Sequence, residues 1–368
     1  MRIIKCLLLL LTFLYDYSYS QERPSNIPTI ISKNPKYTNE FVRLKELYSI
    51  PTADESGKNR YVISSVYSMD VDKDSNLYVL DFRLCTITVF DKKGEYLRTS
   101  GGKGQGPSEL INPLWLSIWN DNIFIYEQFN DMKIFDLKGK YIDSYRVKND
   151  HNNMKKFKIF NDLIYTVDKV AIEEKNITKI TYPINKISID FDKSNTIYTV
   201  KTEYKVGSDA LPRFDPQRSW TLDDKGTIYF AGDILNTYKI DVFADNGKLI
   251  LSFGREYERI PFSKTTIEVL NDFFRKQIEL LKYPEVINYL LFDNGYIFVV
   301  VGETSAHVIG RYRLESIIDV FNTKGEYLYT FKSKYFGSAN TLIKNNRLYA
   351  NPTDDDLNIH VFQIQYNK

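Results

Sequence analysis

The sequence predicts an all-β chain closed into a six-bladed β-propeller, and three observations carry that prediction. A unit of strand, tight turn and strand recurs six times along the chain. Equivalent positions, such as Phe90 and Phe135 or Phe321 and Phe362, lie roughly 40–50 residues apart, the period of a propeller blade. The last unit lacks an outermost strand, while an unclaimed strand stands before the first, so the two ends can complete one sheet and close a ring.

In chain order, residues 1–20 read as a secretory signal peptide. Arg2 and Lys5 form a charged start, Leu7 to Leu14 an apolar stretch too short to span a bilayer, and Ser18 and Ser20 the small residues before a cleavage point. Cleavage is expected after Ser20, so the protein is expected to be exported to the periplasm, the cell surface or the medium. Cys6 precedes the apolar stretch rather than following it, which argues against a lipoprotein. Residues 21–40, with Pro24, Pro28 and Pro35, read as a flexible lead-in. Residues 41–368 read as the propeller, beginning with the early strand Phe41 to Ile50.

The first repeat shows the pattern best. Leu77 to Leu80 is a β-branched and aromatic run, Thr86 to Phe90 alternates, and Asp91-Lys92-Lys93-Gly94 is a tight turn. The second repeat places Asn120-Asp121-Asn122 before Ile123 to Tyr126, then Met132 to Asp136 before Leu137 to Lys140. The third is degenerate: it has hairpins at 157–167 and 186–200 and no Val-Phe-Asp turn. The fourth runs from Trp220 through Asp223 to Gly226 and on to Phe253. The fifth resumes at Val286 and turns at Asn294-Gly295 and at Thr323 to Glu326; the sixth turns at Asn345-Asn346 and ends on Asn358 to Gln363.

Between the fourth and fifth repeats the period changes. Ile267, Leu270, Phe274, Ile278 and Leu281 recur at steps of three or four, Thr265 and Glu268 form a capping box, and Pro284 ends the run. One inserted amphipathic helix is expected over about 264–282, packed on a face of the ring or lining a partner site.

Composition narrows the function classes. A net charge of +2 on 368 residues gives no reason to expect nucleic acid or an anionic membrane as partner. No apolar run after the signal could form a transmembrane segment. Once the signal leaves with Cys6, Cys85 stands alone, so no intrachain disulfide forms; inside a strand pattern it reads as a small buried apolar residue.

Four motifs invite chemistry, and each has a plainer reading. Asp70, Asp72 and Asp74 mimic a calcium loop, but Ser75 replaces the required glycine and Asp81 the bidentate glutamate, so a hairpin turn is expected. Gly101 to Pro107 matches neither a phosphate loop nor a dinucleotide loop and reads as a connection between blades that needs positive φ. His151, His307 and His360 lie in different repeats without ligand spacing. Trp115, Trp119 and Trp220 read as residues packed between blades. No catalytic, cofactor-binding or metal-binding residue is assigned from the sequence.

The runs Asp70 to Asp81, Ile87 to Tyr96 and Gly101 to Leu110 together resemble the NHL-like six-bladed β-propellers, above all the exported kind of the Bacteroidetes. The resemblance extends over about 41–368 and implies the fold. It leaves function open, because propellers host binding, scaffolding, lyase and hydrolase roles. The expected function is non-enzymatic binding of a protein or glycan partner on one face. The alternative is a propeller lyase or lactonase-like hydrolase with a site in the central channel.

Overall fold

The computed structural model describes residues 26–52, 60–128, 131–147, 154, 156–174, 177–205, 219–232, 237–264, 267, 283–303, 315–336, 340–351 and 358–367. Two strands, β1 (Thr29–Ser32) and β2 (Val42–Ile50), precede the first blade. Blade 1 is β3 (Val66–Val71), β4 (Leu77–Asp81), β5 (Thr86–Phe90) and β6 (Tyr96–Gly101). Blade 2 is β7 (Pro113–Trp119), β8 (Asn122–Glu127), β9 (Asp131–Asp136) and β10 (Tyr141–Arg146). Blade 3 is β11 (Phe157–Phe160), β12 (Leu163–Val167), β13 (Val170–Glu174), β14 (Ile177–Ser188) and β15 (Ser194–Lys205). Blade 4 is β16 (Trp220–Leu222), β17 (Ile228–Phe230), β18 (Ile240–Phe243) and β19 (Leu249–Arg255). Blade 5 is β20 (Ile287–Asp293), β21 (Tyr296–Val301), β22 (Ser316–Asn322) and β23 (Tyr327–Ser333). Blade 6 is β24 (Leu342–Lys344), β25 (Arg347–Ala350) and β26 (Ile359–Tyr366), completed by β2.

Turn chemistry explains the reversals. Two-residue hairpins need φ > 0 at both positions, which asparagine and glycine tolerate best. Asn120-Asp121, Asn161-Asp162, Asn294-Gly295 and Asn345-Asn346 all adopt it. The Asp-x-x-Gly turns work differently. In blade 1 the amides of Lys93 and Glu95 donate to Asp91 Oδ1 at 2.8 and 2.9 Å, and Gly94 takes φ +88°. A side chain at Gly94 would also meet the Tyr48 ring, its Cβ lying 2.6 Å from Tyr48 Cδ2, so the turn is tucked against the closing strand.

The ring closes as the sequence predicts. Strand β2 pairs antiparallel with β26, from Val42 opposite Tyr366 to Ile50 opposite Ile359. The core is six apolar wedges, one between each pair of neighbouring blades. Each second strand is therefore buried on both faces, as in Leu77–Asp81, and reads as a continuous apolar run rather than an alternating one. The wedge between blades 6 and 1 joins Ile50, Tyr349, Ile359 and Val361 to Met69, Val71, Leu77 and Phe90. Each fully buried aliphatic or aromatic side chain there contributes about 1.5–3 kcal/mol.

Three expectations need correction or limits. The lead-in is not loose over residues 29–37: β1 pairs in parallel with β19, and the amides of Lys36 and Tyr37 donate to the carbonyls of Tyr327 and Leu328, both at 2.9 Å. A four-residue strand among prolines has no periodicity to betray it, and its hydrogen bonds go to a blade far along the chain. The inserted helix expected over about 264–282 is not among the described elements, since all of that stretch except residues 264 and 267 lies outside the described residues; the helical element that is described is a 3-10 turn at Lys334–Phe336. Blade 3 carries a fifth strand: β12 and β13 share one edge of the long β14, and β15 takes the other.

Candidate functional site

The six innermost strands, β3, β7, β11, β16, β20 and β24, each leave one backbone edge facing the axis. Such an edge is a row of unpaired donors and acceptors. Polar side chains from the neighbouring blade cover it. Ser68 and Asp70 of β3 accept the amides of Leu116 and Ile118, at 3.2 and 2.8 Å. Lys156 donates to the Trp220 carbonyl at 2.7 Å, Ser219 to the Asn288 carbonyl at 2.9 Å, and Asn340 to the Val66 carbonyl at 2.6 Å. The polar lining of the axis is thus first a structural device.

One end of the ring holds the turns of two to five residues that join first to second and third to fourth strands. There, charged side chains from four blades gather at the axis. Lys344 Nζ stands 2.6 Å from Asp70 Oδ1, whose carboxylate also takes the amides of Val71 and Ile118. Asp293 accepts the Asn346 amide at 2.7 Å, and burial raises its carboxyl above the ordinary range. Lys158 Nζ donates to Thr221 Oγ1 at 3.1 Å. Burial lowers its amine to about 8; Asp70 and Asp293 oppose the shift and Lys344 adds to it.

The other end carries the connections between blades and those from second to third strands, among them the longest in the ring, such as 302–315 in blade 5 and 231–239 in blade 4. A β-bulge lies near the start of three innermost strands, at Tyr67, Leu114 and Asn288. A bulge re-aims one side chain out of the alternating register. Tyr67 is turned onto Phe82, the first residue after β4, with ring centroids 5.2 Å apart and planes 28° apart. Val62 and Leu84 on the flanking segments are exposed, as is Arg83. The stack is held from beneath by Asp81, whose carboxylate accepts the amides of Ser64 and Ser65 on the approach to β3 and of Arg83 and Leu84 in the turn beyond.

That acid is a recurring feature. Glu127 ends the second strand of blade 2, as Asp81 ends that of blade 1, and accepts the Ile111 amide; Glu303, two residues beyond the second strand of blade 5, accepts the Ser263 amide at 3.1 Å. Asp81 and Glu127 tie the chain entering their blades to the end of the second strand, and Glu303 ties Ser263, in the segment between blades 4 and 5, to the end of β21. The repeated Asp81, Glu127 and Glu303 after an apolar run are the sequence signal for this clamp, and it was not read from the sequence.

The motifs singled out earlier resolve as follows. Asp72 Oδ1 accepts the amides of Asp74 and Asn76, and Oδ2 accepts Asn76 Nδ2 and the Tyr78 hydroxyl, so this carboxylate serves its own hairpin while Asp70 turns to the axis. Ser75 takes the φ +64° that a glycine would. Gly101 and Gly102 adopt φ +86° and +137° in the connection between blades 1 and 2, where Glu109 folds back to accept the Gly106 amide. Cys85 is buried. Trp220 is fully buried between blades 3 and 4; Trp115 and Trp119 pack partly buried between blades 2 and 3, and Trp119 Nε1 donates to Asp162 at 2.7 Å. His360 lies beside Glu46 on the closing pair of strands, 2.9 Å from it, while His151 and His307 lie outside the described residues. Among the described residues no group of three or more His, Cys, Asp or Glu is placed to hold a metal ion, and no helix is long and apolar enough to cross a membrane.

Comparison with known proteins agrees with the architecture. A protein of Bacteroides fragilis, described by name only as exported, superposes with a TM-score of 0.53 at 13% identity, over 93% of this chain and 100% of that one. A member of the DUF4221 family from Bacteroides vulgatus gives 0.53 at 12% identity, over 89% and 99%. A catalytically inactive virginiamycin B lyase from Staphylococcus aureus gives 0.46 at 11% identity, over 88% and 99%, a likeness from which nothing about activity follows. No curated protein matches in sequence. The family model described as "6-bladed beta-propeller" matches residues 56–220, and with six sheets arranged around one axis this chain is a six-bladed β-propeller.

Proposed function

We propose that the chain is an exported, non-enzymatic propeller that binds a protein or glycan partner on the face where the long connections emerge. The observation that supports this is the Tyr67–Phe82 stack, flanked by exposed Val62, Leu84 and Arg83. Aromatic faces beside a polar rim suit sugar rings and peptide side chains, because they offer apolar contact at little cost in side-chain entropy. The bulge at Tyr67 and the four amides gathered by Asp81 hold the pair in place before any partner arrives, which is what binding without a large ordering cost requires. Export rests on residues 1–20, with the mature chain beginning at Gln21; N-terminal sequencing of protein from its native host checks this, and an intact Met1 would contradict it.

The test is a screen of the mature chain against a glycan array and a peptide array, repeated with the double variant Tyr67→Ala, Phe82→Ala. Binding that falls at least tenfold in the variant, with an unchanged circular dichroism spectrum, supports the reading. Ligands that bind both proteins equally well would overturn the assignment of the face.

A further inference from the structure

We propose that the ligand of the Tyr67–Phe82 face is an acidic glycan, with a sugar ring laid on the aromatic pair and a sugar carboxylate held by Arg83 and Lys103. This rests on the reading of that face as the binding face and adds the chemical class of what it takes.

The backbone around the stack argues for a sugar over a peptide strand. An extended peptide docks by pairing with free donors and acceptors at a sheet edge. Here the donors are spent. Asp81 takes the amides of Ser64, Ser65, Arg83 and Leu84. The Phe82 amide donates to the Ser65 carbonyl at 3.1 Å, and the Gly102 amide to the Cys85 carbonyl at 2.8 Å. What remains for a ligand is side chains around two stacked rings. The C–H face of a pyranose is flat and apolar and suits such a platform, while its hydroxyls reach sideways to a polar rim. Ser64 and Gln105 stand exposed on that rim.

Charge chooses among sugars. Arg83 follows Phe82 directly in the turn. The hydrogen bond from Gly102 to Cys85 lays the connection to blade 2 beside the same turn, and Lys103 comes one residue later. Both cations are exposed, and neither side chain makes an ion pair among the described residues. The described acids at this end of blade 1 are instead turned to the backbone: Asp81 to its four amides, and Glu109 to the Gly106 amide at 2.8 Å. The planar fork of an arginine matches a carboxylate through two parallel hydrogen bonds. A neutral sugar offers no partner for that charge; a uronate offers one within a single residue of the ring that stacks.

The probes are trimers of galacturonate, mannuronate and guluronate, the methyl ester of each, and hexaglutamate, titrated calorimetrically into the mature full chain. At least one uronate should bind saturably, about tenfold more tightly than its ester, and weaken as sodium chloride is added. Arg83→Ala should lower that affinity about tenfold and Arg83→Lys less, with the melting temperature unchanged in both. If no uronate binds, if acid and ester bind equally, or if a folded Arg83→Ala binds undiminished, the inference is overturned. A preference for hexaglutamate overturns it in favour of an acidic protein segment. The double variant Tyr67→Ala, Phe82→Ala then separates this failure from that of the face itself: ligands that still need both rings leave the face standing, and ligands indifferent to them overturn it as well.

Discussion

Lys344, the last residue of the innermost strand of blade 6, places its ammonium 2.6 Å from Asp70 in blade 1, across the seam where the ring closes. Asp70 also carries the otherwise unpaired amide of Ile118 in blade 2, so one carboxylate links three blades. Removing it orphans a buried amide and a partly buried ammonium together. Asp70→Ala is therefore expected to cost about 3–5 kcal/mol in denaturant unfolding, and Lys344→Met clearly less, because there the carboxylate keeps its two amides. Equal costs would mean that the ion pair, not the amides, dominates.

A second buried charge locks blades 4 and 5. Arg255 Nε donates to Asp319 Oδ2 at 2.6 Å inside a cage of Tyr238, Tyr257 and Tyr327, and the Tyr238 hydroxyl donates to the same oxygen at 2.6 Å. Asp319→Leu should destabilise by about 3–5 kcal/mol, since it leaves the guanidinium without its acid. The double variant Asp319→Leu, Arg255→Met should recover part of that loss; no recovery would show that packing around Asp319 matters more than its charge.

Lys158 predicts a pH dependence of stability. Its amine is lowered to about 8 in the folded chain against 10.5 in an unfolded one. Between those values the unfolded state binds more protons, so this group makes stability rise with pH from about 8 to about 10.5; below 8 its full destabilising effect is present. Above pH 10 buried tyrosines such as Tyr78 and Tyr126, each raised to about 12, pull stability down again, because they ionise first in the unfolded chain. Lys158→Met should flatten the rise above pH 8, by a few kcal/mol at most, and leave the later fall in place. A variant curve parallel to that of the parent chain would contradict this.

The correction to the lead-in changes what truncation should do. A chain lacking residues 21–38 loses β1 and the two amide bonds to blade 5, and should melt several degrees lower with about 1–3 kcal/mol lost. A chain lacking residues 21–50 also loses Ile50 and Val42 from the core wedges and should aggregate. If the shorter truncation is silent, β1 is an ornament on blade 4.

Much of this was legible because turns are local chemistry. Asn120-Asp121, Asn294-Gly295 and the Asp91 to Gly94 turn announce themselves through residues that tolerate positive φ, and they divide the chain into strands correctly. Ring closure was legible because a surplus strand at one end matched a deficit at the other. Blade 3 was only half legible: Val170–Glu174 has no turn signal of its own kind, and its partner β14 is set by long-range pairing. The face residues Tyr67 and Phe82 were not singled out, because a bulge is a property of two strands together and leaves no mark in either alone. The axial charges were invisible for the same reason: Asp70, Lys158, Asp293 and Lys344 are far apart in sequence and meet only through the ring.

Ring closure fixes both the aromatic face and the axial charges, and one measurement tests it directly. Arg43 and Gln365 are paired across β2 and β26, and both are exposed. In the double variant Arg43→Cys, Gln365→Cys, mild oxidation should form an intrachain disulfide in monomeric protein and raise the melting temperature, since paired antiparallel residues lie within disulfide reach. The offset pair Arg43→Cys, Gln363→Cys should cross-link far more slowly. Absence of the first cross-link, or equal yields from both pairs, would contradict a ring closed in this register by β2 and β26.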